Sequence, residues 1–379
     1  MTTETRRRDL GLKAVMADLA APRPAARLLR DRLFHPRSGN VMFAPLVKEN
    51  PYQSLLYSAF SPRPKPIALA RAGRIRPLLR APVYHIHWDE FLFPAGDTRR
   101  ATKNMEALRA FVRSGGKVLW TMHNAVPHDL VDPILIKSFR DHRRQLIELS
   151  SLVHVHSRAA EAALVSHYDV SKENVVLIPH PSYGDWYGTP APLPPQGDRF
   201  ELLVFGSRRG NRGLELIRSA IASVPDPGRY FQVTIAGSSA QEWQGLKHEN
   251  PHISNIDTVP GFIPDENIGG LFAKANFSVF GFSEILTSGS LMLSLTMGVP
   301  PIAPDLPSIR ELLSGPLSAL LYRSGDPRHL AEVIGYAASL DGPTVADLRA
   351  HCLQVADAAE PGRVSAMLAD AISALQRKH

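Results

Sequence analysis

Several clusters in this 379-residue chain combine residue types and spacings that could do chemistry. The first is Gly206-Ser207-Arg208-Arg209-Gly210-Asn211-Arg212-Gly213, lying between an apolar run and a helical pattern. Its backbone N–H groups and three guanidinium groups suit a diphosphate, because arginine offers paired donors matched to phosphate oxygens. The second is Thr287-Ser288-Gly289-Ser290, which opens the helical pattern Leu291–Met297. A helix start has unsatisfied N–H groups and the positive end of the dipole, so it attracts anions. Gly289 would let that backbone approach a phosphate closely. Thr287 or Ser288 could equally act as a simple N-cap.

The remaining clusters follow short apolar runs. His85 and His87 alternate in V-Y-H-I-H, with Trp88-Asp89-Glu90 next. His154 and His156 repeat the pattern in L-V-H-V-H, where packing and capping explain them better. Residues at i and i+2 of a strand share a face. No third ligand has recognisable zinc spacing, so no metal is expected. Asp89 and Glu90 are the carboxylates placed to take a proton from a hydroxyl. Asn50, Tyr52 and His87 are candidates for contact with an acceptor; Asn50-Pro51 also reads as a plain turn. His123, in K-V-L-W-T-M-H-N, follows another strand pattern, with His128 and Asp129 close behind. The Gly-Arg loop lacks G-K-[ST] and G-x-G-x-x-G, which excludes a P-loop and argues against a nicotinamide site.

These clusters need strand-to-helix loops to hold them. Apolar runs read as strands at Val41–Leu46, Val83–His87, Lys117–Thr121, Leu152–His156, Val175–Ile178, Glu201–Phe205, Tyr230–Ala236, Ile256–Val259, Ser278–Phe282 and Pro301–Pro304. Helical patterns fall between them, including Met105–Val112 and Ile136–Leu149, the latter with Arg and His on its outer face. Alternation of this kind predicts α/β parallel sheets. The Gly- and Pro-rich stretch 183–198 reads as a linker. It separates a domain over 1–182 from one over 199–343, with a helical tail over 344–379 expected to cross back to the first domain.

Taken in order, the motifs resemble those of GT-B glycosyltransferases of the broad family 4-like group. The matches are T-x-H-N at His123, the loop F-G-x-x-R-x-x-[K/R]-G at Phe205–Gly213, G-F-I-P-D-E at Gly261–Glu266, and Glu284, Gly289 and Gly298-Val299-Pro300. The resemblance covers most of residues 41–340. It implies two Rossmann-like parallel-sheet domains with an interdomain cleft. It also implies transfer of a hexose from a nucleoside diphosphate sugar to a hydroxyl, with no cofactor. Gly206, Arg208, Arg209, Arg212, Phe262, Glu284, Thr287, Ser288, Gly289 and Ser290 would bind the donor, and His123 would hold the transferred sugar. The family's second glutamate, eight positions after the first, is Met292 here, and Glu284 sits one position off the usual alignment. That departure, with Asp89 and Glu90 available as bases, points to inversion. W-T-M-H-N and S-E-I-L-T-S-G-S are similar to bacterial exopolysaccharide mannosyltransferases, which implies GDP-mannose. A UDP-glucose or UDP-glucuronate transferase, a GT-B-fold epimerase and a non-catalytic sugar-nucleotide-binding partner are the alternatives.

Composition narrows the setting. The net charge is +7, and residues 1–80 hold 16 Lys/Arg against 5 Asp/Glu. Such a patch suits anionic lipid or a phosphate-linked acceptor, lipid-linked or oligosaccharide. No interleaved aromatics or named motifs favour nucleic acid. Residues 9–33 have the spacing of an amphipathic helix pair. The single cysteine, Cys352, excludes an internal disulfide framework. No signal-type run or membrane span is visible, so a cytoplasmic protein is expected, with room for a peripheral contact at the inner face of the plasma membrane.

Overall fold

The computed structural model describes residues 40–48, 50–75, 79, 81–126, 130–190, 200–206, 213–224, 231–237 and 256–377. The expected amphipathic pair over 9–33 and most of the basic N-terminal residues lie outside this set. The described chain forms two compact units, 1–179 with 361–379, and 180–360.

In the first unit the strands are β1 (Val41–Ala44), β2 (Lys65–Pro66), β3 (Val83–Ile86), β4 (Lys117–Thr121), β5 (Leu152–Val155) and β6 (Val175–Leu177). They form one sheet in the order β2-β1-β3-β4-β5-β6, and every pairing is parallel. β1 and β3 are buried along their whole length, as expected for strands covered on both faces. Between the strands lie α1 (Tyr52–Leu56), α2 (Leu69–Ile75), α3 (Thr98–Arg113), α4 (Pro133–Leu149) and α5 (Arg158–Tyr168). Local chemistry sets their starts. Asp97, Asp132 and Ser157 accept N–H bonds at the N-termini of α3, α4 and α5, and Pro133 occupies the first turn of α4.

The second unit contains β7 (Phe200–Phe205), β8 (Phe231–Gly237), β9 (Ile256–Pro260), β10 (Phe277–Val279), β11 (Pro301–Pro304) and β12 (Leu321–Tyr322). Read from β9, the order is β9-β8-β7-β10-β11-β12, again all parallel. In local numbering this is 3-2-1-4-5-6, the order of Rossmann dinucleotide-binding sheets. α6 (Leu214–Ser223), α7 (Asp265–Lys274), α8 (Gly289–Thr296), α9 (Pro307–Leu312), α10 (Pro327–Ser339) and α11 (Gly342–Ala358) flank it. Its core runs from Val204 and Ile235 through Phe277 and Leu291 to Leu330 and Cys352.

The helical tail divides at Ala359-Glu360, where Pro361 cannot continue the ladder. α11 packs on α8, whereas α12 (Pro361–Arg377) belongs to the first unit. There the Ala59 N–H donates to Ser365 Oγ at 2.9 Å, and Gln376 Nε2 donates to the Ala81 carbonyl at 2.9 Å. The edge strands β2 and β12, two residues each, and helix α2 carry too little pattern to be foreseen. Among the described residues no helix is long and apolar enough to cross a membrane.

Candidate functional site

Ligands of open α/β sheets bind beyond the carboxyl ends of the strands, where the strand order reverses. In the first sheet that point lies between β1 and β3. The side chains there are Tyr52 and Tyr57 after β1, His85, His87 and Trp88 from β3, Thr121 and His123 from β4, and His154 and His156 from β5. All but Trp88 are buried.

They form a hydrogen-bonded network. Tyr57 Oη lies 2.7 Å from His85 Nδ1 and 2.8 Å from His87 Nε2. Thr121 Oγ1 bridges His85 Nε2 at 2.7 Å and His154 Nδ1 at 2.9 Å. His154 Nε2 and His156 Nδ1 both reach the Ile178 carbonyl, at 2.8 and 3.1 Å. Tyr52 Oη is 3.0 Å from His156 Nε2, and His123 Nε2 is 3.4 Å from His87 Nδ1. The Trp88 indole stacks on His123, with centroids 4.4 Å apart and planes 10° apart. Trp88 holds φ 37° and ψ 66°, a left-handed conformation that costs energy in a residue with a side chain. Burial, then the neighbouring histidines, pulls His85 and His87 well below the usual imidazole range. Burial pushes the Tyr52 and Tyr57 hydroxyls well above their usual value, so both stay protonated donors. Hydrogen bonding to Thr121 opposes the shift for Tyr52.

Beneath this network lies a buried ion pair. Arg143 donates through Nε and Nη2 to Asp89 Oδ2 and Oδ1, each at 3.0 Å. Its Nη1 donates to the carbonyl of Asn124 at 2.9 Å and to that of Ala125. The guanidinium lies over the rings of Phe139 and Trp120. Burial opposes its charge, but the Asp89 carboxylate outweighs that and raises its pKa. The outer-face reading of α4 is therefore corrected at Arg143. Phe139, Arg143 and Leu146 share the buried stripe of the helix, at the i, i+4, i+7 spacing of a helix face.

The structure thus places the first-unit candidates as follows. His87, His123 and Tyr52 come together in the network. Asp89 has both oxygens engaged by Arg143, unlike a carboxylate waiting for a hydroxyl proton. Glu90 follows it in the same 3₁₀ turn and is half-buried. Asn50 Oδ1 accepts the Tyr52 N–H at 2.9 Å, so its side chain shapes the turn into α1. His128 and Asp129 lie outside the described residues. Tyr57 and Arg143 are not singled out by sequence, and Thr121 enters only as the first residue of T-x-H-N, with no role of its own. The signals were present in the helical register of Arg143 and in a tyrosine on the inner stripe of α1's continuation.

In the second sheet the reversal lies between β7 and β10. Glycines crowd the strand ends there: Gly206 after β7, Gly237 at the end of β8 and Gly281 after β10. A Cβ on Gly237 would stand 2.1 Å from the Gly206 carbonyl oxygen, and one on Gly213 would stand 1.8 Å from that of Gly281. Gly206 and Gly213 bracket the Gly-Arg loop; Arg208, Arg209 and Arg212 themselves lie outside the described residues. After β10, the Ser288 Oγ accepts the Leu291 N–H at 3.1 Å, so Ser288 is the N-cap of α8. It also lies 3.2 Å from Ser290 Oγ. The Thr287 hydroxyl oxygen is buried and has no hydrogen-bond partner among the described residues. A Cβ on Gly289 would meet the Tyr183 hydroxyl at 2.7 Å. The missing side chain therefore admits Tyr183, which the sequence reading had not foreseen. Glu284 is exposed, and Phe262 is 73% exposed beside the buried Ile263. Among the described residues no group of three His, Cys, Asp or Glu is arranged to hold a metal ion.

Solved structures share this fold. HepE from Anabaena, solved with UDP and with UDP-glucose, matches with a TM-score of 0.68 at 12–13% identity, over 88% of this chain and 99% of that one. The fold is GT-B. A sucrose-phosphate synthase from Thermosynechococcus elongatus matches with a TM-score of 0.62 at 17% identity, over 79% of this chain and 74% of that one. A glycosyltransferase from Rickettsia africae matches with a TM-score of 0.62 at 14% identity, over 89% and 84%. No protein-family model matches the chain, and no curated protein matches it in sequence. The GT-B fold anticipated from the motif order is therefore shown, and family 4 membership is not.

Proposed function

We propose that this protein is a metal-independent glycosyltransferase that moves a hexose from a nucleoside diphosphate sugar to an acceptor hydroxyl. The observation that carries the reading is the glycine-crowded reversal point of the second sheet. There Gly213 and Gly237 let main chain pack directly on main chain, against Gly281 and Gly206, so that the loops at the reversal point present backbone rather than side chains, on a fold shared with sugar-nucleotide enzymes. In this reading Arg208, Arg209, Arg212 and the N-terminus of α8 stabilise the departing diphosphate. Phe262 borders the base, and Glu284 takes a sugar or ribose hydroxyl. His123 holds the transferred sugar. Glu90, next to the Arg143-bound Asp89, is the first base to test for an inverting reaction.

The first donor to test is UDP-glucose, because HepE was solved with it. GDP-mannose is the second reading, favoured by W-T-M-H-N and S-E-I-L-T-S-G-S. The basic first 80 residues support an acceptor that is anionic, such as a diphosphate-linked lipid or an oligosaccharide, reached by peripheral contact with a membrane.

Thermal stabilisation by UDP, GDP, ADP, dTDP and the corresponding sugars tests the proposal. A ligand at about 100 times its Kd adds about 2.7 kcal/mol. A shift with one diphosphate, lost in an Arg209→Ala/Arg212→Ala variant, is expected. No shift with any of them would remove the transferase reading. Product formed from donor alone would replace it with an epimerase.

A further inference from the structure

The hydrogen-bond chain beneath His123 can be followed proton by proton. The Ile178 carbonyl only accepts, so His154 Nε2 carries hydrogen. In a neutral His154, Nδ1 is then an acceptor, and the Thr121 hydroxyl donates to it. That commits the single Thr121 proton, so His85 Nε2 must donate to Thr121 Oγ1. Neutral His85 now accepts at Nδ1, from the Tyr57 hydroxyl. With that proton committed, His87 Nε2 donates to Tyr57 Oη. Neutral His87 accepts at Nδ1, and the group facing it is His123 Nε2. Tyr52, which also bonds Thr121, gives its own proton to Nε2 of a neutral His156 whose Nδ1–H is on the Ile178 carbonyl, so it can only accept from Thr121 and leaves the direction from His85 onward unchanged.

We propose that this chain sets the tautomer of His123, holding hydrogen on Nε2 and making Nδ1 its acceptor atom. His87, Tyr57, His85, Thr121 and His154 are then positioning residues for His123. Burial keeps His85 and His87 neutral, which the alternation requires. Trp88 stacking fixes the plane of the His123 ring, so the relay selects a tautomer without turning the ring. For function the inference rests on the reading of His123 as the residue that holds the sugar. An Nδ1 acceptor receives a hydroxyl proton from a sugar, whereas an Nδ1–H tautomer presents a donor to that hydroxyl instead. The relay ends on a carbonyl that takes no proton, so it orients and polarises His123 and does not conduct charge away.

The test uses the full chain labelled with ¹⁵N-histidine, with the His123 signals assigned by difference against His123→Gln. At about pH 7.5 His123 is expected as the neutral Nε2–H form. Tyr57→Phe removes the central donor and acceptor together, frees His87 to reverse, and is expected to bring up the Nδ1–H form of His123. Thr121→Val should do the same, and Thr121→Ser, which keeps the hydroxyl, should retain the wild-type tautomer. If Tyr57→Phe does not fold, the Thr121 pair decides. His123 remaining wholly Nε2–H in Thr121→Val overturns the proposal, as does an Nδ1–H form in the wild type. The tautomer is read without ligand, so it stands even if no nucleotide sugar binds and the transferase reading fails. Where transfer is observed, Thr121→Val should lower kcat/KM for the nucleotide sugar by about five- to tenfold and leave the Kd of the free nucleoside diphosphate unchanged.

Discussion

Arg143 and Asp89 are joined by two 3.0 Å hydrogen bonds, with both side chains almost wholly removed from solvent. The same guanidinium holds the carbonyls of Asn124 and Ala125, in the loop that begins at His123. One side chain of α4 thus ties the loop after β3, which carries Trp88, to the loop after β4. A buried pair adds little over an apolar replacement, but removing one partner strands a charge. Asp89→Asn is therefore expected to cost about 3–5 kcal/mol. Urea unfolding followed through tryptophan fluorescence measures it. An Asp89→Leu/Arg143→Met double variant should regain most of the loss. A single-variant cost below about 1 kcal/mol would show that the pair does not hold these loops.

Gly237 and Gly335 should respond to alanine in opposite directions. Gly237 has φ 124°, and its Cβ would press on the Gly206 carbonyl oxygen at 2.1 Å. Backbone on both sides must yield, so Gly237→Ala should cost more than about 1 kcal/mol and distort the end of β7. Gly335 sits inside α10, with nothing within 4 Å of its built Cβ. Gly335→Ala should stabilise by about 0.5–1 kcal/mol. Thermal unfolding of the two variants checks both signs. Loss of nucleotide binding in Gly237→Ala alone would link the crowded strand ends to the ligand.

Much of the fold was legible because parallel strands buried on both faces are short apolar runs, and ten of them stood out. β4 and β11 match the expected runs to the residue. The site was harder to read. Asp89 and Glu90 are adjacent carboxylates of similar type, and the two hydrogen bonds from Arg143, fifty-four positions later, single out Asp89. That pairing is tertiary and leaves no local mark. His85, His87, His154 and His156 were recognised as sharing strand faces, but not that Tyr57 and Thr121 would link them. Gly289 was read for a ligand's approach, and a tyrosine from over a hundred positions earlier fills the space.

Acid should unfold the first unit through its histidines. His85 and His87 are held well below their usual value of 6.5. A depressed imidazole pKa means that the unfolded chain binds protons first as pH falls. Stability is therefore complete above about pH 6.5 and declines below it, by up to about 1.4 kcal/mol per pH unit for each histidine, until the folded value is reached. In the second unit His180, depressed by burial to about 4, should add a third contribution in the same direction. Urea midpoints between about pH 7.5 and 5 measure the slope. A His85→Gln/His87→Gln variant should flatten it, and a flat wild-type profile would contradict the buried, neutral assignment.

Thr287 offers a test in which stability and binding part company. Its hydroxyl is buried without a hydrogen-bond partner among the described residues, one residue before the N-cap Ser288 of α8. A buried polar group left unpaired destabilises the folded chain, and valine keeps the shape without the hydroxyl. Thr287→Val should therefore stabilise the ligand-free protein by about 1 kcal/mol. If the hydroxyl finds its partner in a diphosphate oxygen at the start of α8, the same variant should weaken nucleotide binding by about tenfold, the loss of one hydrogen bond to a charged group. Differential scanning calorimetry with and without nucleotide reads both effects on one sample. Higher stability with unchanged affinity would keep the hydroxyl out of the donor site. Lower stability without ligand would mean that it has a partner in the protein after all.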